Sequence, residues 1–350
     1  MVNILFIAAI ALMIAVLFLQ GFKYLPREKW QIIGAIPKKK IDSDKWLGVN
    51  FTYYGFFNAN AYVFATALIF VLLASLKMPL SVIFTIIIAV FSLCMPASKI
   101  VARIVEKKPA TFSVGGAVFV GMMTIPWMVW IIRDTMGKQM GVDVQISTVL
   151  AAVSIAYAFG EGIGRLSCIS FGCCYGKLLT DVSPFFQKLF ERKHFIFFGK
   201  TKKIAYAHGY DNQKVLPIQA VTASIFSCSG IVGLCLFLSG NYNAAFFLTV
   251  LITQGWRFVS EFYRADYRGE RKISVYQIMG ICSIPYAAFM AVVFPEIPSQ
   301  LPDILKGLQE IWNPVVILFL ESLWLGAFVF TGKSEVTGAT MSFHVVKEKI

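Results

Sequence analysis

The chain has 350 residues, of which 57% are hydrophobic and only 15% charged, with a mean hydropathy of +0.70 and a formal net charge of +13. Soluble domains carry about 25% charged residues, so this composition excludes a single soluble core and asks for a bilayer as solvent. The basic residues lie between apolar runs and form no nucleic-acid-binding motif, which excludes nucleic acid as a partner and points to anionic lipid headgroups.

A membrane span takes about 20 mostly apolar residues. In chain order such runs lie near 2–21, 56–76, 80–98, 113–132, 147–166, 217–239, 243–262, 274–294 and 313–331. The first run is longer than the roughly 7–15 residues of a signal-peptide core, and it lacks a basic n-region before it and a small-residue cleavage pattern, so it reads as a retained helix. The first and last runs hold few polar residues, whereas the middle seven hold nearly all the polar features. The expected fold is therefore all-α and polytopic, a seven-span core with one helix added at each end. Its parts are an N-terminal transmembrane helix at 1–21, a basic interfacial segment at 22–51, the core at 52–294 with a loop insertion at 177–215, and a C-terminal transmembrane helix at 313–331. The 22–51 segment carries Lys38, Lys39 and Lys40 with Trp30 and Trp46. Segments as long as these two are either functional or plain interfacial linkers, with Trp and Tyr anchoring at the headgroups. Loops 22–55, 99–112, 167–216 and 263–273 and the C-terminal tail hold most of the Lys and Arg. By the positive-inside rule that bias puts the N-terminus outside, and the 177–215 segment in the cytoplasm.

The densest polar stretch closes the fifth span, from Gly160-Glu161-Gly162-Ile163-Gly164-Arg165 through Cys168 and Gly172-Cys173-Cys174-Tyr175-Gly176-Lys177. Its glycines allow close approach of backbone or ligand. An arginine here is expensive unless it is paired or faces a polar cavity. Arg165 either anchors a lipid phosphate through its planar fork or pairs with Glu161 one turn back. A second cluster runs Trp256-Arg257-Phe258-Val259-Ser260-Glu261-Phe262-Tyr263-Arg264. If helical throughout, Arg257, Glu261 and Arg264 share one face, with Glu261 holding one arginine while the other stays available to an anion. The bland reading is an interfacial salt-bridge ladder. Smaller motifs open other spans: Tyr53-Tyr54-Gly55, Phe112-Ser113-Val114-Gly115-Gly116, Leu216-Pro217-Ile218-Gln219 and Ile273-Ser274-Val275-Tyr276-Gln277. Cys168, Cys173 and Cys174 lack a CxxC spacing and have no histidine nearby in sequence, since His194, His208 and His344 fall outside the spans. No metal or other cofactor is expected on that basis. Cys173 is either a nucleophilic or redox residue or, like the other two, a small apolar filler.

The Gly164–Lys177 stretch, the Arg257–Arg264 cluster and the order of the smaller motifs resemble the bacterial prolipoprotein diacylglyceryl transferase family, over about residues 50–294. The resemblance implies a seven-span core in the bacterial inner membrane. It implies transfer of the diacylglyceryl unit of phosphatidylglycerol to a lipobox cysteine of a prolipoprotein, with release of glycerol phosphate. By the same resemblance Arg165, Arg257 and Arg264 bind the lipid, Tyr54 lines its site, Gly176 keeps the signature loop tight, and Gln219 and Gln277 match family amides. Catalysis would fall to Glu261 and Cys173, with Glu161 an alternative base. The chain departs from the family pattern where Val114 replaces a His, Cys168 an Asn, Cys173 a Glu, Val221 a Tyr and Thr222 an acid. The phosphate-binding half is thus kept and the groups around the acceptor thiol differ. In the family the segment after the signature faces the periplasm, opposite to the charge bias here. The alternative from another functional class is a lipid-binding or lipid-transport protein that kept the phospholipid cleft and lost the chemistry.

Overall fold

A computed structural model describes residues 1–107, 113–267, 273–296 and 301–350. Phe112 of the fourth-span motif lies outside the described residues, as do parts of the basic loops 99–112 and 263–273. Among the described residues eight helices are long and apolar enough to cross a membrane, so the chain is a multi-pass membrane protein. They are α1 (Val2–Tyr24), α2 (Tyr53–Ala74), α3 (Leu80–Glu106), α4 (Val114–Ile132, continued by a π turn and the short α5, Lys138–Met140), α6 (Ile146–Phe171), α9 (Ile218–Leu238), α11 (Val275–Val293) and α13 (Pro314–Gly332). Short helices α7 (Pro184–Phe190), α8 (Lys203–His208) and α12 (Ile304–Ile311) lie between them, and α10 spans Tyr242–Ser260. The run expected at 243–262 is this α10. It packs on α6, α9 and α11, yet it falls outside the strongly apolar set because its buried side carries Thr249, Thr253 and Gln254.

Burial ranks the helices. The apolar window of α6 is 78% buried, whereas those of α1 and α13 are 17% and 11% buried. Helix α6 is therefore the axis of the bundle, with α2, α9 and α10 against it, while the chain's first and last long helices lie on its outside. The polar residues of α6 pack inside protein, where other side chains and not hydrocarbon meet them.

Helix ends follow local chemistry. The hydroxyl of Ser113 accepts from Gly116 N, and Ser274 and Gln277 form a reciprocal capping box at the start of α11. Helix α6 stops at Gly172, whose φ of +70° is left-handed and needs no strain at glycine.

The expected helical bundle is present, and two small sheets accompany it. The basic 22–51 segment is mostly strand: β1 (Ile32–Lys40) pairs antiparallel with β2 (Lys45–Thr52), which pairs antiparallel with β5 (Lys333–Ser342) from the C-terminal tail. The sheet sits where α2 begins and α13 ends. There the Thr52 hydroxyl donates to Gly332 O at 3.0 Å, and a Cβ on Gly55 would come within 2.2 Å of Gly332 Cα. The 177–215 insertion is likewise structured. It contains α7, α8 and a two-stranded pair, β3 (Phe195–Ile196) with β4 (Lys214–Val215).

Buried Lys202 ties this insertion to the bundle. Its ammonium donates to Leu25 O at the end of α1 and to Ser170 O at the end of α6, and Gln31 Nε2 donates to Thr201 O nearby. Burial pushes the Lys202 pKa down to about 7, against a smaller opposing pull from Glu28. The unfolded segment, with an ordinary lysine, keeps its proton up to about pH 10.4. Between those limits the unfolded form binds more protons, so docking strengthens as pH rises through that window, and the full penalty of burying the charge applies below about pH 7. Limited proteolysis within 177–215 should accordingly slow between pH 6.5 and pH 9 in the natural protein and lose that pH dependence in Lys202→Met.

Candidate functional site

The site begins on one face of α6. Tyr157, Glu161, Arg165 and Cys168 are spaced i, i+4, i+8 and i+11, which stacks them along a single stripe. The stripe runs toward the end of the helix where α2 begins, the 177–215 insertion docks and α10 finishes. Glu161 accepts a close ion-paired hydrogen bond from Arg165 Nη2. Its same oxygen lies 3.5 Å from Arg257 Nη2 on α10. Arg257 Nη2 also donates to the Tyr157 hydroxyl at 2.9 Å, and Gln254 Nε2 donates to that hydroxyl at 3.3 Å. One carboxylate therefore joins two guanidiniums from separate helices. Each of the three side chains is about nine-tenths buried, with exposures of 7% for Glu161, 12% for Arg165 and 11% for Arg257.

A guanidinium has five N–H donors. The Nε atoms of both Arg165 and Arg257 are buried with no hydrogen-bond partner among the described residues. An unsatisfied buried charged donor is costly, so both arginines retain capacity for an acceptor. The space beside them is a narrow cleft, with room for about one water, lined by Arg165, Thr222, Phe226, Arg257, Ser260, Glu261 and Arg264. On the α4 side, Gly115 makes room for Arg257, because a Cβ there would sit 3.1 Å from Arg257 Nη1 and 2.9 Å from the Tyr276 ring.

Arg257, Glu261 and Arg264 do not share one helical face as expected, while Glu261 does hold one of the two arginines, Arg264. Helix α10 ends at Ser260, Glu261–Tyr263 form a 3₁₀ turn, and Arg264 is extended. The tighter turn breaks the shared face. Glu261 takes Arg264 at 3.3 Å and the Ser274 hydroxyl at 3.4 Å, while Arg257 turns across the bundle to Glu161. Arg264 grips Asp266 with two parallel bonds of 2.8 and 2.7 Å. Burial works against its charge, but Asp266 and, more weakly, Cys174 and Glu261 outweigh it and raise the Arg264 pKa. Its backbone pairs with Gly176, and Lys177 N donates to Tyr263 O at 3.0 Å.

The other expected residues serve nearby. Gly176 lies against backbone, with a Cβ 2.4 Å from Leu216 O, so a side chain there would push the insertion's return strand away. The Gln219 amide donates to Cys173 O at 3.0 Å. Both ends of the Gln277 amide are engaged, accepting from Ser274 N and donating to Phe258 O, which makes it a pin between α10 and α11. Tyr54 packs edge-on against Phe171 at 5.7 Å and lies in electrostatic range of Cys168, Cys173 and Cys174. Val114 is exposed and Thr222 is buried on the cavity wall, where its hydroxyl accepts from Trp256 Nε1 at 3.0 Å. The cavity thus gathers Arg165, Arg257, Arg264 and Glu261, whereas Tyr54, Gln219 and Cys173 gather one turn further along α6.

Tyr157, Gln254 and Asp266 were not singled out in the sequence. Only Tyr157 had a local signal, its four-residue spacing from Glu161 on the way to Arg165. No protein-family model matches the chain, and no curated protein matches it.

Proposed function

We propose that the protein is a transferase of the prolipoprotein diacylglyceryl transferase type, acting in the bacterial inner membrane on phosphatidylglycerol or another anionic glycerophospholipid. In this reading α2 through α11 are the seven-span core, and α1 and α13 are additions at its edge. The observation that carries the proposal is the convergence of Arg165 and Arg257 on a cavity inside the bundle, each with an unused Nε donor. Two buried guanidiniums with spare donors match a phosphodiester, which offers two anionic oxygens. In the transfer, a bond forms between the acceptor sulfur and the terminal glyceryl carbon while the bond from that carbon to the phosphate oxygen breaks. The thiol proton passes to a base or to solvent. The departing glycerol phosphate gains one negative charge, and preorganised arginines favour that change over the ground state.

The test is to supply the purified protein with phosphatidylglycerol labelled in its headgroup glycerol, together with a lipobox peptide or a cell extract. Release of labelled glycerol phosphate supports the reading; absence of release with every acceptor contradicts it.

The second reading, a lipid-binding or transport protein, is favoured by one specific observation. Glu161 and Glu261 are both held by arginines, so both carboxylates are already committed to ion pairs within the bundle. Rescue of a strain depleted of its own diacylglyceryl transferase separates the two, because a protein that only binds lipid does not rescue growth.

A further inference from the structure

Cys168, Cys173 and Cys174 were separate residues in the sequence, and the fold makes them one site. Helix α6 ends in the left-handed Gly172, and Cys174 is itself left-handed with φ of +55°, a conformation that non-glycine residues rarely adopt. This double reversal folds the chain back over the last turn of α6, where Cys173 N donates to Cys168 O at 3.0 Å. Gln219 then holds the Cys173 carbonyl. As a result the three sulfurs all lie within 4.8 Å of one another, with Cys168 Sγ and Cys174 Sγ 3.7 Å apart.

The 3.7 Å between Cys168 and Cys174 is the spacing of two ligands on one metal, and 4.8 Å bounds the distances to the third sulfur. Sulfurs bound tetrahedrally to one ion at about 2.3 Å stand about 3.8 Å from each other. It is far from a disulfide, whose sulfurs lie about 2.05 Å apart. The charge balance agrees as well. A divalent ion with three thiolates carries a single net negative charge, and a membrane protein must compensate it. Arg165 and Arg264 are in electrostatic contact with Cys174, Arg165 also with Cys168, and Lys203 with Cys173 and Cys174.

We infer that Cys168, Cys173 and Cys174 form a binding site for a thiophilic divalent cation of the zinc class. Three protein ligands leave one tetrahedral position for water or an exogenous donor, the pattern of catalytic rather than structural zinc. The site stands on its own geometry and holds whether or not the protein transfers lipid.

The experiment uses the full chain, purified in detergent under reducing conditions, stripped with a chelator and titrated with cobalt(II). One equivalent per chain should produce a thiolate-to-cobalt charge-transfer band and the visible bands of tetrahedral cobalt, and one equivalent of zinc should abolish both. In the unmutated protein zinc should also protect Cys168, Cys173 and Cys174 from maleimide while leaving the labelling of exposed Cys228, Cys235 and Cys282 unchanged. Cys168→Ser and Cys173→Ser should each lose the charge-transfer band, and Cys282→Ser should keep it. An absent band, a band that survives in the Cys168→Ser/Cys173→Ser/Cys174→Ser variant, or zinc-independent labelling of the three thiols in the unmutated protein would overturn the site.

Discussion

Arg165→Ala is expected to lower glycerol phosphate release by about 10²–10³-fold, the usual cost of removing one preorganised donor from a developing oxyanion, while the protein still inserts and purifies. Arg165 meets Glu161 from within the same helix, and Arg257 approaches the same carboxylate oxygen at 3.5 Å. Truncating Arg165 therefore leaves Glu161 a cationic partner, and the bundle keeps one ion pair. What disappears is the fork whose Nε has no partner among the described residues and whose guanidinium lines the cavity. Arg165→Lys restores the charge without the fork and should recover only part of the rate. Turnover of Arg165→Ala equal to the natural protein, at matched protein and lipid, would remove Arg165 from the phosphate site.

Glu161→Gln carries the largest expected effect on stability. The substitution keeps the shape and removes the single charge shared by two buried guanidiniums. Removing one partner of a buried ion pair typically costs about 3–5 kcal/mol, and the adjoining cavity places this case toward the lower end. The unfolding midpoint in detergent should fall accordingly. Phosphatidylglycerol should then raise the midpoint more in Glu161→Gln than in the natural protein, because the lipid phosphate supplies the missing anion. A neutral diacylglycerol should not. An unchanged midpoint would mean that Glu161 does not compensate the arginines. A lowered midpoint that responds equally to both lipids would separate the ion pair from lipid binding.

Much of the bundle was legible because hydrophobic length is a local property. Eight of the nine expected runs coincide with strongly apolar helices, and the ninth is α10, whose buried side carries Thr249, Thr253 and Gln254. Helix ends were less legible. The run expected to stop at 98 belongs to a helix that continues to Glu106 past Pro96, since hydropathy marks where the hydrocarbon ends and not where backbone hydrogen bonding ends. The sheet was hidden for a different reason. The three lysines of β1 read as part of a basic interfacial segment, and the partner that completes the sheet, β5, lies nearly 300 residues away. Strand pairing at that separation leaves no local alternation to find.

The site shows the same division. Arg165 with Glu161 was visible because a helix repeats every 3.6 residues. The partner of Arg257 was hidden for the same reason: spacing offers only the acid on the same helix, and the acid that Arg257 reaches lies across the bundle on α6. The three cysteines looked like apolar filler because the left-handed turn that brings their sulfurs together is a property of Gly172 and Cys174 backbone angles, not of spacing.

The proposed site holds a lipid phosphate jointly on Arg165 and Arg257. Native mass spectrometry of the protein exchanged into mixed phosphatidylglycerol and phosphatidylethanolamine tests this most directly. One tightly retained phosphatidylglycerol is expected on the natural protein and none on Arg165→Ala/Arg257→Ala, with both proteins eluting as intact, folded species. Equal retention by the two proteins, or equal retention of both lipids by the natural one, would contradict it.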